Sequence, residues 1–295
     1  MKVFVTGASG FVGSAVVKDL LENGHQVLGL ARSEESAQAL EKAGAKVHRG
    51  NIEDLESLKS GVSQADAVIH TAFNHDFSRY KLSCDEDRQI IAALGEAIGN
   101  SGKPLVVTSG VGLLSLGRIV TEDDSVPSSE IVPRAASEEA AIALQQKGVN
   151  CYILRLPPST HGIGDHGFVA MVADMARKAG ESVYVGDGQN RWPAAHRFDA
   201  ASMYRLIVEK QPQQKIFHAV AEQGVAFGEI AKSIGKELDL PVVSQDKASA
   251  EAHFGWFLHF ASIDCPASSE KSSATLGWQP KHIGLLDDLN SGDYF

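Results

Sequence analysis

The feature that most constrains this chain is a glycine-rich turn between its first apolar run and its first helical pattern. Residues 6–13 read TGASGFVG, a GxxGxxG pattern directly after the strand-like run at 3–5. Gly7 permits a tight turn, Gly10 lets backbone N–H groups approach an anion, and Gly13 allows the helix to pack closely on the strand. The pattern predicts a diphosphate at the helix N-terminus, bound by Gly7, Ser9, Gly10, Phe11, Val12 and Gly13.

Apolar runs alternate with helical patterns through the first half of the chain. The runs are continuously apolar, which is typical of strands buried on both faces of a parallel sheet. The predicted strands are 2–6, 26–30, 46–48, 67–70, 105–108 and 151–154. The alternation predicts an α/β fold with a Rossmann-type doubly wound parallel sheet, helices on both faces, and ligand at the carboxyl ends of the strands.

The second half of the chain has a different texture. A turn-rich segment at 157–166 is followed by further helical and strand-like patterns. Residues 1–156 are therefore predicted as the dinucleotide-binding core, and 157–295 mainly as a smaller substrate lobe with segments that return to the sheet. In this half, helices are predicted at 167–179, 199–209 and 225–237, and strands at 182–185, 215–219 and 241–244. A further helix is predicted at 135–147, at the end of the first part.

Charge and cysteine content narrow the possible partners and compartments. The net charge of −10 gives no general attraction to nucleic acid or anionic membrane. No apolar run approaches the ~18–20 residues that span a bilayer, no signal peptide precedes the first strand, and the three cysteines form no CxxC pair. We expect a cytoplasmic protein with a small-molecule substrate. His161 and His166 lie five residues apart on a glycine-rich loop without a supporting ligand cluster, so no metal is expected.

The residue after the second predicted strand indicates which coenzyme is bound. An acidic residue there would bind the ribose hydroxyl of NAD, whereas an arginine accommodates the 2′-phosphate of NADP. This chain has Arg32 and Ser33, and both can bind a phosphate. Glu34 and Glu35 follow, in what is predicted as the first turn of a helix. NADP(H) is therefore favoured over NAD(H), the alternative being that Arg32 is an ordinary surface residue.

Further motifs resemble those of the short-chain dehydrogenase/reductase superfamily, in particular its extended, NAD-dependent epimerase/dehydratase-like branch. The resemblance extends over essentially the whole chain. Its segments are IHTAF at 69–73, VTSG at 107–110, LRLPPSTHG at 154–162, VGDG at 185–188 and LGWQP at 276–280. It implies that further residues contact the coenzyme, namely Asn51 and Ile52 at the adenine, Thr71, Ala72 and Phe73 near the ribose, Thr108, and Pro157 and Pro158 beside the nicotinamide. Asn51 could also serve as a helix cap.

The catalytic pair that the superfamily uses is absent. That chemistry needs a tyrosine, which exchanges a proton with the substrate oxygen, and a lysine four residues later. None of the five tyrosines in the sequence has that lysine, and Arg134 and Glu138 stand where the pair is expected. The departure is similar to that in atypical members of the superfamily. The two residues could equally form a surface ion pair one helical turn apart.

Three residues are candidates for the missing chemistry. Ser109 could orient a substrate oxygen, His161 could donate a proton, and Arg134 could stabilise an oxyanion. The register of Ser109 against Thr108 stays open. Phe77, Trp192 and His196 are predicted to contact substrate together with Phe73, although aromatic residues more often pack in the core.

These features predict an NADP(H)-dependent oxidoreductase that reduces a small carbonyl-, imine- or alkene-type substrate at a non-standard catalytic site. One alternative is a catalytically inert NADP-binding sensor or regulator. Another is a nucleotide-sugar epimerase or dehydratase, which the missing tyrosine disfavours. A homodimer is possible through helices at 86–100 and 134–148.

Overall fold

The computed structural model describes residues 1–292 and 294. The strands are β1 (Lys2–Thr6), β2 (Gln26–Ala31), β3 (Lys46–Arg49), β4 (Ala67–His70), β5 (Leu105–Gly110), β6 (Cys151–Leu156), β7 (Ser159–His161), β8 (Ser182–Val185), β9 (Arg191–His196), β10 (Ile216–His218), β11 (Glu222–Ala226) and β12 (Val242–Gln245). The α-helices are α1 (Phe11–Glu22), α2 (Glu34–Ala43), α3 (Leu55–Ser63), α4 (Tyr80–Ile98), α5 (Ala136–Gln146), α6 (Phe168–Ala179), α7 (Arg197–Lys210), α8 (Phe227–Glu237), α9 (Lys247–Phe254), α10 (Leu258–Ser262), α11 (Glu270–Leu276) and α12 (Leu285–Leu289).

Seven strands form one sheet in the order β10-β6-β5-β4-β1-β2-β3. Every neighbouring pair in this sheet is parallel. The chain therefore moves outward in both directions from β1 and β4, and the carboxyl ends of all seven strands meet at one edge. This is the predicted doubly wound sheet, and the switch point between β1 and β4 is where such sheets bind ligands.

Both faces of the sheet are covered by helices. On one face α1 and α7 pack against the strands, with Leu20 and Tyr204 among their buried residues. On the other face α3, α4 and α5 contribute Leu58, Ile91 and Leu144. The small residues of α5 therefore cover the sheet and α4, and the homodimer predicted through these helices stays a prediction.

The remaining strands form a smaller lobe. β7, β9 and β11 make a three-stranded sheet, and β8 pairs with β12. Trp192 and Phe257 lie at the centre of the lobe's own hydrophobic core. By contrast, β10 completes the large sheet and α7 belongs to its core, so the chain returns to the first unit after entering the lobe.

Three lobe strands, β7, β9 and β11, were not predicted. β7 lies inside the segment interpreted as turns, and Pro193 interrupts the apolar pattern of β9. Both are short and depend on their partners for a defined register, with His161 opposite His196. Among the described residues, no helix combines the length and the apolar character needed to cross a membrane.

Candidate functional site

The glycine turn joins β1 to α1 at the switch point of the sheet. Gly7 has a φ of +67°, which favours glycine, and a Cβ there would lie 2.7 Å from the backbone nitrogen of Ala72. A Cβ on Gly13 would lie 1.9 Å from the Gly7 carbonyl oxygen. Gly10 precedes α1 without a capping side chain, so the first N–H groups of the helix are left for a ligand. This cradle fits a diphosphate.

The segment after β4 closes the other side of the turn. Thr71 donates a hydrogen bond from Oγ1 to the Thr6 carbonyl oxygen at 2.8 Å. Ala72 abuts Gly7 directly. The structure therefore brings Thr71 and Ala72 against the glycine turn, as the resemblance implies for residues beside the coenzyme.

A cavity of about 270 Å³ opens next to the end of β3. It is lined by Ile52, Asn74 and Ser83 among others. Ser83 is only 1% exposed, and its hydroxyl has no hydrogen-bond partner among the described residues. An unsatisfied buried hydroxyl costs about 1–3 kcal/mol, which a polar edge of an adenine ring could offset.

Asn51 does not cap the helix that follows β3. Asp54 caps α3 by accepting a hydrogen bond from the Ser57 N–H at 3.1 Å. Asn51 instead accepts from the Glu53 N–H in the preceding turn. The alternative that Asn51 is the helix cap is therefore wrong, and Asn51 remains after the end of β3, next in sequence to the cavity-lining Ile52.

Hydroxyl groups converge next to Arg32, which follows β2. Ser33 caps α2 and donates from its hydroxyl to Ser36 Oγ at 3.0 Å, and Ser9 of the glycine turn donates to the same oxygen at 3.2 Å. Glu34 lies in the first turn of α2, as predicted, and pairs with Arg49 at 2.8 Å. Arg32 has no carboxylate within salt-bridge distance among the residues described.

Arg134 lies just before α5, facing the ends of β4 and β5. Its guanidinium donates to the Thr108 carbonyl oxygen at 3.2 Å and to Asp87 Oδ2 at 3.1 Å, and it also bonds Ser137. It packs over the Phe73 ring, 4.1 Å from the ring centroid. The guanidinium is thereby fixed beside Phe73 and Thr108, two residues that the resemblance assigns to the coenzyme site.

A buried hydrogen-bond network that runs from Thr6 through His70 to Asp87 fixes the position of Arg134. His70 bonds Thr6 Oγ1 at 2.6 Å through Nδ1 and Asp87 Oδ1 at 2.9 Å through Nε2. Burial alone would raise the pKa of Asp87, but Arg134 and the hydrogen bonds from His70 and Ser137 outweigh it, so the pKa lies below its ordinary value. Asp87 is therefore a carboxylate that fixes the position of Arg134.

Glu138 is not a surface partner of Arg134. It is 0% exposed and accepts two hydrogen bonds at 2.8 Å from Arg155, which is also fully buried. Arg155 further bonds the Asp124 carbonyl oxygen at 2.9 Å and His218 at 3.2 Å. The alternative of an Arg134–Glu138 surface pair is therefore wrong, because each residue is engaged by a different buried partner.

The hydroxyls at the end of β5 are also engaged. Ser109 donates to Glu138 Oε1 at 2.6 Å and is 4% exposed. Thr108 donates to the His70 carbonyl oxygen at 2.7 Å and lies 2.6 Å from the Tyr204 hydroxyl. Burial raises the pKa of Tyr204 well above its ordinary value. Tyr204 is therefore a poor substitute for the missing catalytic tyrosine.

His161 and His196 are the last residues of the lobe strands β7 and β9. His161 is 0% exposed, bonds Asp288 at 2.7 Å through Nδ1, and packs edge-on against His196. His196 stacks on His282, with ring centroids 4.6 Å apart. Burial lowers the pKa of His196 to about 4, and the neighbouring His161 and His282 add to the effect. The burial of His161 argues against its expected role as a proton donor to substrate.

The aromatic candidates separate into two groups. Trp192 is 0% exposed, and its indole N–H donates to the Phe260 carbonyl oxygen, so it belongs to the lobe core instead of a substrate surface. Phe77 lies at the cleft between the sheet and the lobe. Its ring stacks on Trp256 of the lobe, 4.5 Å between centroids, and Trp256 is 52% exposed.

Pro157 and Pro158 lie where β6 ends, at the same edge of the sheet as the glycine turn. Pro157 accepts a hydrogen bond from Thr160 through its carbonyl oxygen, which shapes the turn into β7. The structure thus brings the predicted coenzyme residues together along one edge. It does not bring Ser109, Arg134 and His161 into one open cluster.

Sequence reasoning missed Asp87, Ser36, Ser83 and Trp256. Asp87 and Ser83 lie one turn apart on α4, where a serine and a carboxylate on an otherwise apolar face could have signalled buried polar contacts. Ser36 gave no signal beyond its position one turn after Ser33. Trp256 lies between a glycine and a phenylalanine, in a segment with no periodic pattern.

Comparison with known proteins identifies the family. A model of the NAD dependent epimerase/dehydratase family matches residues 3–219. An uncharacterized protein of Schizosaccharomyces pombe, C2A9.02, is 48% identical over 296 residues, covering 100% of both chains. The 2-alkyl-3-oxoalkanoate reductase of Stenotrophomonas maltophilia is 30% identical over 224 residues, covering 71% of this chain and 66% of the relative.

Solved structures share the fold at low sequence identity. DesIV, a dTDP-glucose 4,6-dehydratase from Streptomyces venezuelae solved with NAD and TYD bound, has a TM-score of 0.77 at 19% identity, covering 98% of this chain and 95% of that one. The family match confirms the resemblance to the epimerase/dehydratase-like branch of the short-chain dehydrogenase/reductase superfamily. The chain belongs to the NAD dependent epimerase/dehydratase family, whose members bind NAD(P) on a Rossmann-like fold.

Proposed function

We propose that this protein is an NADP(H)-dependent reductase of a small carbonyl-, imine- or alkene-type substrate, in which Arg134 takes the place of the tyrosine. The observation that carries the proposal is the position of Arg134. It stands where the tyrosine is expected, with a guanidinium fixed by Asp87 and by the Thr108 carbonyl oxygen.

The preference for NADP(H) is argued from Arg32 and the hydroxyls near it. Ser9, Ser33 and Ser36 form a connected hydroxyl cluster, and Arg32 is adjacent in sequence. Glu34, an acidic residue two positions after Arg32, is paired with Arg49. A guanidinium and several hydroxyls suit a phosphate dianion better than they suit an uncharged ribose hydroxyl.

The proposed chemistry divides the work between the coenzyme and Arg134. A reduced nicotinamide coenzyme bound at the glycine turn would supply the hydride for the electron-poor carbon of the substrate. The guanidinium of Arg134 would bind the substrate oxygen or nitrogen and stabilise the negative charge that develops there. The Arg134 side chain is 15% exposed, so water can reach this point and supply the proton that completes the reduction.

The relatives support a reductase in general terms. The similarity to a 2-alkyl-3-oxoalkanoate reductase points to carbonyl reduction within the family. A nucleotide-sugar epimerase or dehydratase is less well supported, because the tyrosine and lysine that those enzymes use are absent from the sequence.

One observation favours a second candidate, a catalytically inert NADP-binding regulator. Ser109 is tied to Glu138, and the Thr108 hydroxyl is tied to His70 and Tyr204. No hydroxyl at the end of β5 is therefore free to hold a substrate oxygen unless this network rearranges.

The test is transfer of deuterium from stereospecifically labelled NADPH to a panel of aldehydes, ketones, quinones and imines. We expect deuterium to appear in the product of at least one class, from one face of the nicotinamide only. Tight NADPH binding without transfer to any compound, at high protein concentration, would instead support the inert regulator.

A further inference from the structure

The arginines of this chain differ in whether a carboxylate compensates them. Of the eleven arginines in the sequence, nine lie within 4.0 Å of a carboxylate. Within the described part of the chain, the two without such a partner are Arg32 and Arg197. Arg32 belongs to the proposed 2′-phosphate site. Arg197 has no role in the function proposed above.

Arg197 lies at the first position of α7, after the lobe strand β9, and reaches back to the start of α1. Its guanidinium carbon is 4.9 Å from the centroid of the Phe11 ring and 4.9 Å from that of Phe198. One terminal nitrogen is 3.5 Å from the Phe11 carbonyl oxygen. Phe11 is the first residue of α1, directly after the glycine turn, so this cation stands at the helix end that fits a diphosphate.

The charge on Arg197 is poorly compensated where it lies. Its Nε is buried and has no hydrogen-bond partner among the described residues. Burial lowers its pKa, while Asp165 and Asp288 oppose this from beyond salt-bridge distance. A partly desolvated cation with no carboxylate within salt-bridge distance is destabilising, so an anion beside it would be favourable.

The neighbouring helix end also lacks a compensating charge. The first turn of α1 contains no acidic residue, and Gly10 provides no side-chain cap. The positive end of the helix dipole and Arg197 would therefore act on the same anion. In a family that binds NAD(P), the anion carried to this turn is the coenzyme's diphosphate.

We propose that Arg197, at the junction between the lobe strand β9 and α7, binds the coenzyme diphosphate from the side opposite the glycine turn's own backbone N–H groups. The inference rests on the proposed coenzyme site, but it concerns the part that NADPH and NADH share. It therefore differs from the role of Arg32, which concerns only the 2′-phosphate.

The test uses Arg197→Met in the full-length protein, since methionine keeps much of the apolar stem between the two rings. Binding is measured by calorimetry for NADPH, NADH, ADP-ribose and 2′-AMP. We expect the first three, which carry the diphosphate, to weaken by a common factor of about tenfold or more. The affinity for 2′-AMP should stay unchanged, because it carries no diphosphate.

Two further readouts separate binding from folding. Because Arg197→Met removes a poorly compensated charge, the melting temperature of the free protein should stay equal or rise. Arg205→Gln is the matched control, since this arginine lies on the same helix and pairs with Asp19 at 2.7 Å. It should leave all four affinities unchanged.

The outcomes distinguish this inference from the function on which it rests. Unchanged ADP-ribose affinity in Arg197→Met would overturn the inference while leaving the coenzyme site intact. A lower melting temperature with equal losses for all four ligands would also overturn it, because that result indicates a structural role. Failure of the wild-type protein to bind either coenzyme would remove the proposed function itself.

Discussion

The carboxyl edge of the large sheet has two parts that differ in how their polar groups are used, namely the β1–β2 end and the β5–β6 end. At the β1–β2 end, the site is built from backbone N–H groups, small hydroxyls and Arg32, which has no carboxylate partner. At the β5–β6 end, Ser109, Glu138 and Arg155 are bonded to one another and buried.

The difference separates coenzyme binding from chemistry. A diphosphate cradle depends on glycines and on a helix end, and it tolerates changes elsewhere in the chain. Proton transfer depends on particular side chains. Here the positions expected for the tyrosine and the lysine hold Arg134 and Glu138, and Glu138 forms a buried ion pair with Arg155. A member of this family can therefore keep coenzyme binding while the residues used for proton transfer change.

The largest expected effect is on stability at the β5–β6 end. Arg155→Met leaves the Glu138 carboxylate buried without its partner, and we expect a loss of about 3–5 kcal/mol in the free energy of unfolding. The double variant Arg155→Met with Glu138→Leu should recover much of that loss. Urea denaturation measures all three proteins.

The matched control for this prediction is Arg191→Met. Arg191 pairs with Asp264 at 2.8 Å, but the two side chains are 41% and 34% exposed. Breaking an exposed pair should cost at most about 1 kcal/mol. Similar losses for Arg155→Met and Arg191→Met would show that the buried network does not stabilise the β5–β6 end as described.

The next largest effect is on turnover at Arg134. Lysine keeps the charge but loses the planar fork that Asp87 and the Thr108 carbonyl oxygen hold. Arg134→Lys should lower kcat by about 10²–10³-fold, which corresponds to about 2.7–4 kcal/mol for loss of an oxyanion donor. NADPH affinity should be unchanged. A wild-type kcat in this variant would exclude Arg134 from the chemistry.

A smaller effect is expected at the β1–β2 end. Arg32→Ala should weaken NADPH binding by about 1–3 kcal/mol through loss of a charge-assisted contact, with little change for NADH. Arg177→Ala is the control, because this exposed arginine pairs with Asp174 on α6, and it should leave both affinities unchanged. Equal losses for NADPH and NADH in Arg32→Ala would refute the assignment of Arg32 to the 2′-phosphate.

The smallest effect is a pH dependence at the β5–β6 end. Burial, followed by the charge of Arg155, lowers the pKa of His218 to about 4. Below pH ~6.5 the unfolded chain binds a proton that the native His218 does not, so stability falls with decreasing pH by about 1.4 kcal/mol per pH unit until the native group titrates. Denaturation of His218→Asn at pH 7, 6 and 5 should show a shallower slope than wild type.

The elements that the sequence predicted well are those with strong local patterns. β1 and β4 are continuously apolar, and Gly7 and Gly13 have requirements that no other residue meets. These features are determined within a few residues, so the large sheet and the glycine turn at its carboxyl edge followed from the sequence.

The contacts that the sequence did not predict depend on residues far apart in the chain. Glu138 meets Arg155 across a helix and a strand, and nothing near Glu138 marks it as buried. No local pattern marks Trp192 as buried, because its burial depends on the packing of the lobe's core. The short strand β7 forms only because β9 lies beside it. Such contacts are tertiary, so local propensity carries little information about them.

The central claim is that the β1–β2 end binds NADP(H) in preference to NAD(H). Titration calorimetry of the wild-type protein with NADPH and with NADH at one ionic strength tests it most directly. We predict that NADPH binds at least about tenfold more tightly, corresponding to about 1.4 kcal/mol from the 2′-phosphate contacts. Equal affinities, or tighter binding of NADH, would contradict the account.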